Sequence, residues 1–181
     1  AIAYGPCTVS TEAWDGTPIT LAEETDYPFD EVVNLTFAMP RPSRFPLVLR
    51  IPHWAPDAEL LVNGEAQLVS GLQSFVRLDR EWKDGDRVCL RFPMRPRIVP
   101  GHRGLVSVYR GPLLFGLRIG EDWRKIGGQE PYADWEVYPT TPWNYGLALH
   151  PNDPAGSIAI EKGPIAPLPF DHDRPPVRLK V

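Results

Sequence analysis

A cluster of carboxylates near the N-terminus is the first candidate for chemistry in this chain. Its members are Glu23, Glu24, Asp26, Asp30 and Glu31. Hydrolysis of a glycosidic bond uses two carboxyl groups that flank the bond, one of them with a raised pKa. Carboxylates in a loop also suit Ca²⁺, although the regular spacing of an EF-hand is missing here. Acids around a Tyr-Pro turn are usually hydrated, so the cluster predicts a solvated surface first, a calcium site second and a catalytic pair last.

Histidine and cysteine form no recognisable catalytic or metal-binding pattern. The histidines are His53, His102, His150 and His172, and none has the spacing or the neighbours of a metal motif. Cys7 and Cys89 are far apart in the sequence, which predicts two separate, partly buried thiols rather than a disulfide or a zinc site. His53 lies in an Ile-Pro-His-Trp turn, where we expect it to pack. No catalytic residue and no metal ligand is therefore predicted in this segment.

Aromatic residues are the better candidates for a binding site. Trp135, Trp143 and Tyr145 are predicted carbohydrate-binding residues, because sugar C–H faces stack on flat rings and Glu136 and Asn144 stand beside them with hydrogen-bonding groups. Large aromatics also fill cores and domain contacts, and for any single ring this second interpretation is favoured.

An apolar strand is the candidate docking surface. In the stretch that contains Leu113, Leu114, Phe115 and Leu117, apolar side chains fall on both faces. Such a strand is typically covered on both sides, by a second sheet or by a neighbouring domain. Leu113, Phe115 and Leu117 are therefore predicted to dock against another part of the protein.

The elements that position these residues are short strands. Val33, Leu35, Phe37 and Met39 alternate with polar residues, and Asn-Gly and Asp-Gly pairs punctuate the strands that follow. Proline accounts for 22 of 181 residues, which excludes long helices because proline is confined to edges, strand starts and turns of sheets. The pattern predicts an all-β fold, an antiparallel β-sandwich of jelly-roll type.

A boundary is predicted near Pro96 to Arg103, where Pro, Gly and His accumulate. It divides the chain into residues 1–97, β-sandwich I, and residues 98–181, a second β-rich segment with a Pro-rich tail. One large sandwich and two consecutive sandwiches, the second incomplete, both remain open. Gly120 to Trp143 is predicted to be rich in loops, and the tail from His150 to Pro176 is predicted to wrap the surface.

Composition excludes two classes of partner. The net charge is −4 and no basic stripe is interleaved with aromatics, so a nucleic acid is not an expected partner. No apolar run approaches the roughly 20 residues that a membrane span needs. No signal peptide is visible, which slightly favours the cytoplasm. Ile2 and Ala3 already read as a strand, and the alternation of Val177 to Val181 reads as a strand that continues, so both ends appear cut.

Six short motifs resemble glycoside hydrolase family 127, the β-L-arabinofuranosidase family, over roughly Tyr4 to Leu149. They are ETDYPF at 24–29, LRIPHW at 49–54, VNG at 62–64, REWKDGD at 80–86, RGPL at 110–113 and TPWNYG at 141–146. Each motif is short, but their order and number make the resemblance specific. The tail after His150 matches weakly.

The resemblance implies that this segment is the C-terminal β-sandwich region of a bacterial hydrolase. In that family an (α/α)6 barrel carries a zinc ion bound by Cys and Glu, and one Cys is the nucleophile. Those residues precede the part resembled here, so their roles pass neither to Cys7 nor to Cys89. The expected partners are the barrel, the carbohydrate substrate of the parent enzyme and a second copy in a homodimer.

Three functions compete at this point. The leading one is an accessory β-sandwich that docks on the catalytic barrel. The others are a stand-alone carbohydrate-binding module, which requires several aromatics exposed in one plane, and a structural or oligomerisation domain, in which the aromatics are buried. An independent hydrolase is the least favoured.

Overall fold

The computed structural model describes residues 1–69, 74–150, 152–171 and 173–181. The described residues form an all-β structure in which two short 3₁₀ turns, His102–Gly104 and Ala155–Ser157, are the helical elements. The predicted all-β, antiparallel fold is confirmed. No helix in the described ranges is long and apolar enough to cross a membrane.

The strands are short, as the density of proline predicts. In chain order they are β1 (Cys7–Glu12), β2 (Pro18–Thr25), β3 (Val32–Ala38), β4 (Ser43–Arg50), β5 (Glu59–Val62), β6 (Glu65–Gln67), β7 (Phe75–Trp82), β8 (Arg87–Arg91), β9 (Pro96–Pro100), β10 (Val106–Arg110), β11 (Leu113–Phe115), β12 (Glu121–Gly127), β13 (Asp134–Pro139), β14 (Ala159–Lys162) and β15 (Val177–Lys180). The chain forms two compact units. The first unit contains residues 1–97 and 109–113, and the second contains residues 98–108 and 114–181.

The first unit is a sandwich with one shared core. Its larger sheet has six strands in the order β1-β2-β3-β8-β5-β6, and β4 pairs with β7 in a separate two-stranded sheet. Alternate residues of both sheets enter the same buried cluster, which includes Val33 and Leu35 of β3 and Leu49 of β4. The period-two pattern that predicts the strands therefore also fixes which face is buried.

The turn between β5 and β6 shows how the local sequence sets the pairing. Asn63 and Gly64 both have positive φ, 54° and 85°, which is the backbone of a type I′ turn. Val62 and Glu65 pair directly across it. The predicted two-residue hairpin is thus present at Asn63-Gly64.

The second unit consists of small sheets. β12 pairs with β13 and β14 pairs with β15, each as a two-stranded antiparallel sheet. The chain also has a three-stranded sheet of order β11-β10-β9, whose residues are not confined to this unit. The prediction of a loop-rich stretch from Gly120 to Trp143 was wrong, because β12 and β13 form a regular hairpin there. The sequence of β12 and β13 lacks a clean alternation of apolar and polar residues, because aromatic and charged residues occur on both faces of the hairpin. β14 also lies within the tail that was predicted only to wrap the surface.

Candidate functional site

One face of the β12–β13 hairpin carries two tryptophans. Trp123 pairs with Val137 and Lys125 pairs with Trp135, so these four side chains share a face because side chains alternate along a strand. The rings of Trp123 and Trp135 lie 6.2 Å apart between centroids, in an edge-to-face arrangement at 74°. Trp123 is 57% exposed and Trp135 is 43% exposed. This face therefore presents both tryptophans and Val137 to solvent, with Glu121 and Lys125 on the same face.

The opposite face of the hairpin is polar and internally paired. The Arg124 guanidinium lies 4.4 Å from the centroid of the Tyr138 ring and donates from Nε to Asp122 at 2.8 Å. The Tyr138 hydroxyl donates to Glu136 at 2.6 Å, and this bond raises the pKa of Tyr138. Tyr138 is still 42% exposed, so neither face of this hairpin is covered within its own unit.

The three predicted sugar-binding residues are not gathered at one place. Thr140 donates its N–H to Gly120 O at 2.7 Å, and Gly120 N–H donates to the Thr141 hydroxyl at 2.8 Å. These bonds hold the chain that leads to Trp143 at the open end of the hairpin, whereas Trp135 lies near the turn. Trp143 and Tyr145 are 62% and 67% exposed, outside regular strands. Trp123, which the sequence analysis did not select, is the ring that contacts Trp135.

The predicted docking residues are only partly buried. Leu113 and Phe115 of β11 are half-buried, while Leu114 is 62% exposed and Leu117 55% exposed. β11 ends at Phe115, so Leu117 lies beyond the strand. Cover on both faces of this strand is therefore absent from the part of the chain that the structure describes.

The acidic cluster is not a single hydrated surface. Glu24 and Asp26 are exposed, as predicted, but Glu23 is 8% exposed. Glu23 shares a face of β2 with Ile19 and Leu21, which directs its carboxylate toward the core. There it accepts the Gly5 N–H at 2.6 Å. Burial raises the pKa of Glu23, while that hydrogen bond and the N-terminal ammonium lower it.

Glu31, the last member of the cluster, is a structural anchor. Its Oε1 accepts the Met94 N–H at 3.0 Å and lies 3.6 Å from Nη2 of Arg110, a side chain that is 1% exposed. Arg110 also donates to Phe29 O at 3.1 Å. Burial lowers the pKa of Arg110, and the carboxylates of Glu31 and Asp30 raise it. Glu31 and Arg110 therefore use their charged groups to hold together segments that are distant in the sequence.

The glycine of the RGPL motif, Gly111, lies close to Met94, the residue whose N–H Glu31 accepts. Gly111 has φ of +56°, and a Cβ at this position would lie 2.7 Å from the Met94 Sδ. A larger residue would be strained by its backbone and would collide with Met94. The motif thus supplies a buried arginine followed by the residue with the least bulk.

The REWKDGD and VNG motifs form one hydrogen-bonded network around Asp86, which is 2% exposed. Its carboxylate accepts hydrogen bonds from Asn63 Nδ2 at 2.9 Å and from the Lys83 N–H at 3.0 Å. Asn63 Oδ1 in turn accepts the Arg87 N–H at 2.8 Å. The two turns are therefore linked, and every polar group named here is used for folding.

The described residues offer no metal-binding group of three or more His, Cys, Asp or Glu side chains. Cys7 and Cys89 are separate thiols, and Cys7 is exposed rather than partly buried. Burial, together with Glu59, raises the pKa of Cys89. His53 is exposed, so its predicted packing role was wrong. His172 lies outside the described residues.

Comparison with known proteins assigns a family to the part of the chain that contains the sandwich and its linked turns. A family model described as "Beta-L-arabinofuranosidase, GH127 middle domain" matches residues 2–94. The chain belongs to the GH127 family. The resemblance that the motifs predicted is therefore confirmed, and four of the six motifs lie inside the matched range. No curated protein matches the chain.

Solved structures show the same fold over a longer stretch of this GH127 chain. A GH127 β-L-arabinofuranosidase from Geobacillus stearothermophilus T6 (Ara127N-Se) is 22% identical with a TM-score of 0.56, covering 76% of this chain and 29% of its own. A protein described as a glycoside hydrolase is 25% identical with a TM-score of 0.55, covering 80% and 29%. The GH127 β-arabinofuranosidase BT3674 is 22% identical with a TM-score of 0.54, covering 76% and 27%. The chain thus spans less than a third of the length of these structures.

Proposed function

We propose that this chain is the non-catalytic β-sandwich part of a β-L-arabinofuranosidase-like hydrolase, and that it docks on a catalytic (α/α)6 barrel. Family membership supports the general assignment, because residues 2–94 match the middle domain of the family. The observation that carries the docking role is the β12–β13 hairpin, on which Trp123, Trp135 and Val137 share a face and are all exposed.

An exposed hairpin of this kind needs a partner. A two-stranded sheet is marginally stable in water unless it packs on another element, and an exposed apolar patch rimmed by polar groups is typical of an interface. Leu114 and Leu117, 62% and 55% exposed, add apolar surface in the same unit. Covering these side chains with a barrel would remove them from water at roughly 25 cal/mol per Å².

A carbohydrate-binding module is the second candidate, since Trp123 and Trp135 are exposed beside charged groups. The ring geometry favours docking over sugar binding. The two rings stand at 74° to one another, whereas a sugar platform needs flat faces in one plane. Edge-to-face packing is how aromatic pairs fill an interface. Trp143 and Tyr145 follow the open end of the hairpin, whereas Trp135 lies near its turn.

Cofactor and partners follow from the same proposal. Zinc belongs to the barrel rather than to this segment, whose described residues present no suitable set of ligands. The partners are the barrel, a second copy in a homodimer and the carbohydrate substrate of the parent enzyme. In this role the segment supports the barrel and contributes no catalytic residue.

The test compares three forms of the chain by binding of a hydrophobic dye and by sedimentation at two concentrations. The wild-type chain is expected to bind dye and to self-associate, and the double variant Trp123→Ser, Trp135→Ser is expected to lose most of both. Tyr138→Ser is the matched control on the polar face of the same hairpin, and it should retain dye binding. A strictly monomeric wild-type chain without dye binding would refute the docking role.

A titration with arabino-oligosaccharides separates the two candidates. Docking predicts no saturable change in tryptophan fluorescence when the sugar is added to the isolated chain. A saturable change that is lost in Trp135→Ser would favour the carbohydrate-binding module instead.

A further inference from the structure

The first unit has an unfilled strand position beside β4. Among the described strands β4 pairs with β7 alone, so its other edge is open. The backbone groups of Val48 and Arg50 point to that edge, because both residues form hydrogen bonds with Ala1, which is not part of β7. Since orientation alternates along an antiparallel strand, Pro46 directs its nitrogen to the same side. A proline there is expected, because an edge strand tolerates a missing donor on its open side.

Ala1 occupies the end of this edge in the manner of a parallel strand. Its nitrogen donates to Val48 O, and Arg50 N–H donates to Ala1 O at 3.1 Å. A residue that bonds to both neighbours of Leu49 in this way is placed as one rung of a parallel ladder. Tyr4 reinforces the position, since its hydroxyl donates to Arg50 O at 2.7 Å.

An apolar groove runs beside the remainder of the edge. It has a volume of about 360 Å³, and its walls include Val9, Thr11 and Leu21 from β1 and β2 and Phe45, Pro46 and Leu47 from β4. A cavity of about 150 Å³ already holds benzene, so the groove has room for more than one apolar side chain. Val9 is 49% exposed although it faces the core side of the sheet.

We propose that, in a full-length family protein, the segment leading into Ala1 adds a strand parallel to β4 and fills this groove. The direction follows from the rung at Leu49, because residues before Ala1 then lie opposite Val48, Leu47 and the earlier part of β4. Solved relatives are more than three times as long as the part they share with this chain, so family members have chain available for this strand. The proposal rests on the bonds of Ala1 and on family membership, and is independent of the docking role of the hairpin.

The ladder also fixes which side chains enter the groove. Directly opposed residues of a parallel pair share a face, so the second residue before Ala1 lies over Leu47 and the fourth over Phe45. These two positions are expected to be apolar and the ones between them polar. The second residue would use Val48 N–H and Pro46 O, whereas the fourth meets Pro46, which has no N–H. The strand is therefore short.

The experiment adds six residues directly before Ala1 of this chain. One form carries Val-Thr-Val-Thr-Val-Thr, which places valine at the second and fourth positions, and the control carries Thr-Val-Thr-Val-Thr-Val, with the same composition out of phase. The in-phase form is expected to raise Tm by about 2–4 °C and to slow exchange of the Val48 amide hydrogen at least tenfold. Val48→Pro should abolish the gain of the in-phase form, because it removes the N–H used by the second rung.

Equal Tm values for the two extended forms would overturn the proposal, and so would an unprotected Val48 amide in the in-phase form. If the unextended chain protects Val48 in a concentration-dependent manner, a second copy covers the edge and the assigned occupant is wrong. None of these measurements involves Trp123 or Trp135, so failure here is distinguishable from failure of the docking role.

Discussion

Strands β3 and β12 have the same length of seven residues and opposite environments. In β3, Val33 and Leu35 are fully buried and Phe37 is 2% exposed. In β12, Trp123 and Ile126 are 57% and 61% exposed. β3 has strands on both sides, β2 and β8, while β12 pairs with β13 alone among the described strands. Both segments form strands, but only the side chains of β3 are buried, because its sheet packs against a second sheet in a shared core.

The first unit supplies that layer from its own sequence. Residues of β4 and β7 meet those of the six-stranded sheet in one core, and the network around Asp86 joins its turns. The second unit keeps tryptophan, tyrosine and leucine at its surface. The two units therefore differ in how much of their apolar surface they bury: the first has a core formed by its own strands, whereas the second leaves large apolar side chains exposed.

The largest expected effect tests the buried core of the first unit. Trp82 is fully buried, its ring lies 4.6 Å from that of Phe37, and its Nε1 donates to Phe45 O at 3.0 Å. Trp82→Ala is expected to lower the free energy of unfolding by about 3–5 kcal/mol, because it leaves a cavity in the core. Denaturant unfolding measures the change. Trp14→Ala, at a ring that is 92% exposed, is the control, and equal costs would contradict a closed core.

The second prediction concerns the network of turns. Asp86→Ala leaves Asn63 Nδ2 and the Lys83 N–H without their acceptor. Both bonds are part-buried, and a hydrogen bond to a charged group contributes about 1.5–3 kcal/mol, so we expect a loss of about 2 kcal/mol in the free energy of unfolding. Asp57→Ala, at an exposed carboxylate, should change it by less than about 0.5 kcal/mol. A similar small change for Asp86→Ala would mean that the network does not stabilise the first unit.

A third prediction uses pH to test Glu23, a buried carboxylate on the core-facing side of β2. Burial raises the pKa of Glu23 in the folded chain, so the folded state prefers the protonated form. Its contribution to stability is complete below the unfolded pKa of about 4 and is lost as the pH rises through the folded pKa. Glu23→Gln, which mimics the protonated form, should therefore be more stable than the wild type at pH 7 and equal to it near pH 3.

The control for this pH prediction is Glu24→Gln, at the exposed neighbour of Glu23. Thermal unfolding at several pH values should give no such crossover for Glu24→Gln. A Glu23→Gln variant that is less stable than the wild type at pH 7 would show that the Gly5 hydrogen bond outweighs the cost of burying the charge.

Much of the first unit could be predicted from its sequence because its signals are local. Alternation in β3 gives the buried face, and Asn63-Gly64 gives a turn with two positive φ angles. The prediction of a hydrated surface was wrong for Glu23, because it treated neighbouring acids as one group. The burial of Glu23 follows from its place on the same face of β2 as Ile19 and Leu21. The link from Arg110 to Glu31 joins residues 79 positions apart (110 − 31), and no local pattern encodes such a contact.

The aromatic candidates were predicted from residue type alone, and their role in binding sugar stays a prediction. Type identified exposed rings at Trp135, Trp143 and Tyr145 but not their relative positions, which depend on the register of the hairpin and on the bonds at Gly120. The pairing of Trp123 with Trp135 could have been found from the alternation of Trp123 and Lys125 on one strand and Trp135 and Val137 on the other.

The smallest expected effect tests the exposed tryptophan face of the β12–β13 hairpin in the second unit. Trp135 is 43% exposed and its ring contact is Trp123, so Trp135→Ala in the isolated chain should cost less than about 1 kcal/mol. In a full-length enzyme the same ring is expected to be covered by the barrel, where a buried aromatic anchor is worth about 2 kcal/mol or more. The measurement is the change in thermal inactivation of the full-length enzyme beside the change in Tm of the isolated chain. A small effect in both would mean that this face stays in water, and the hairpin would then have to be explained by a ligand rather than by docking.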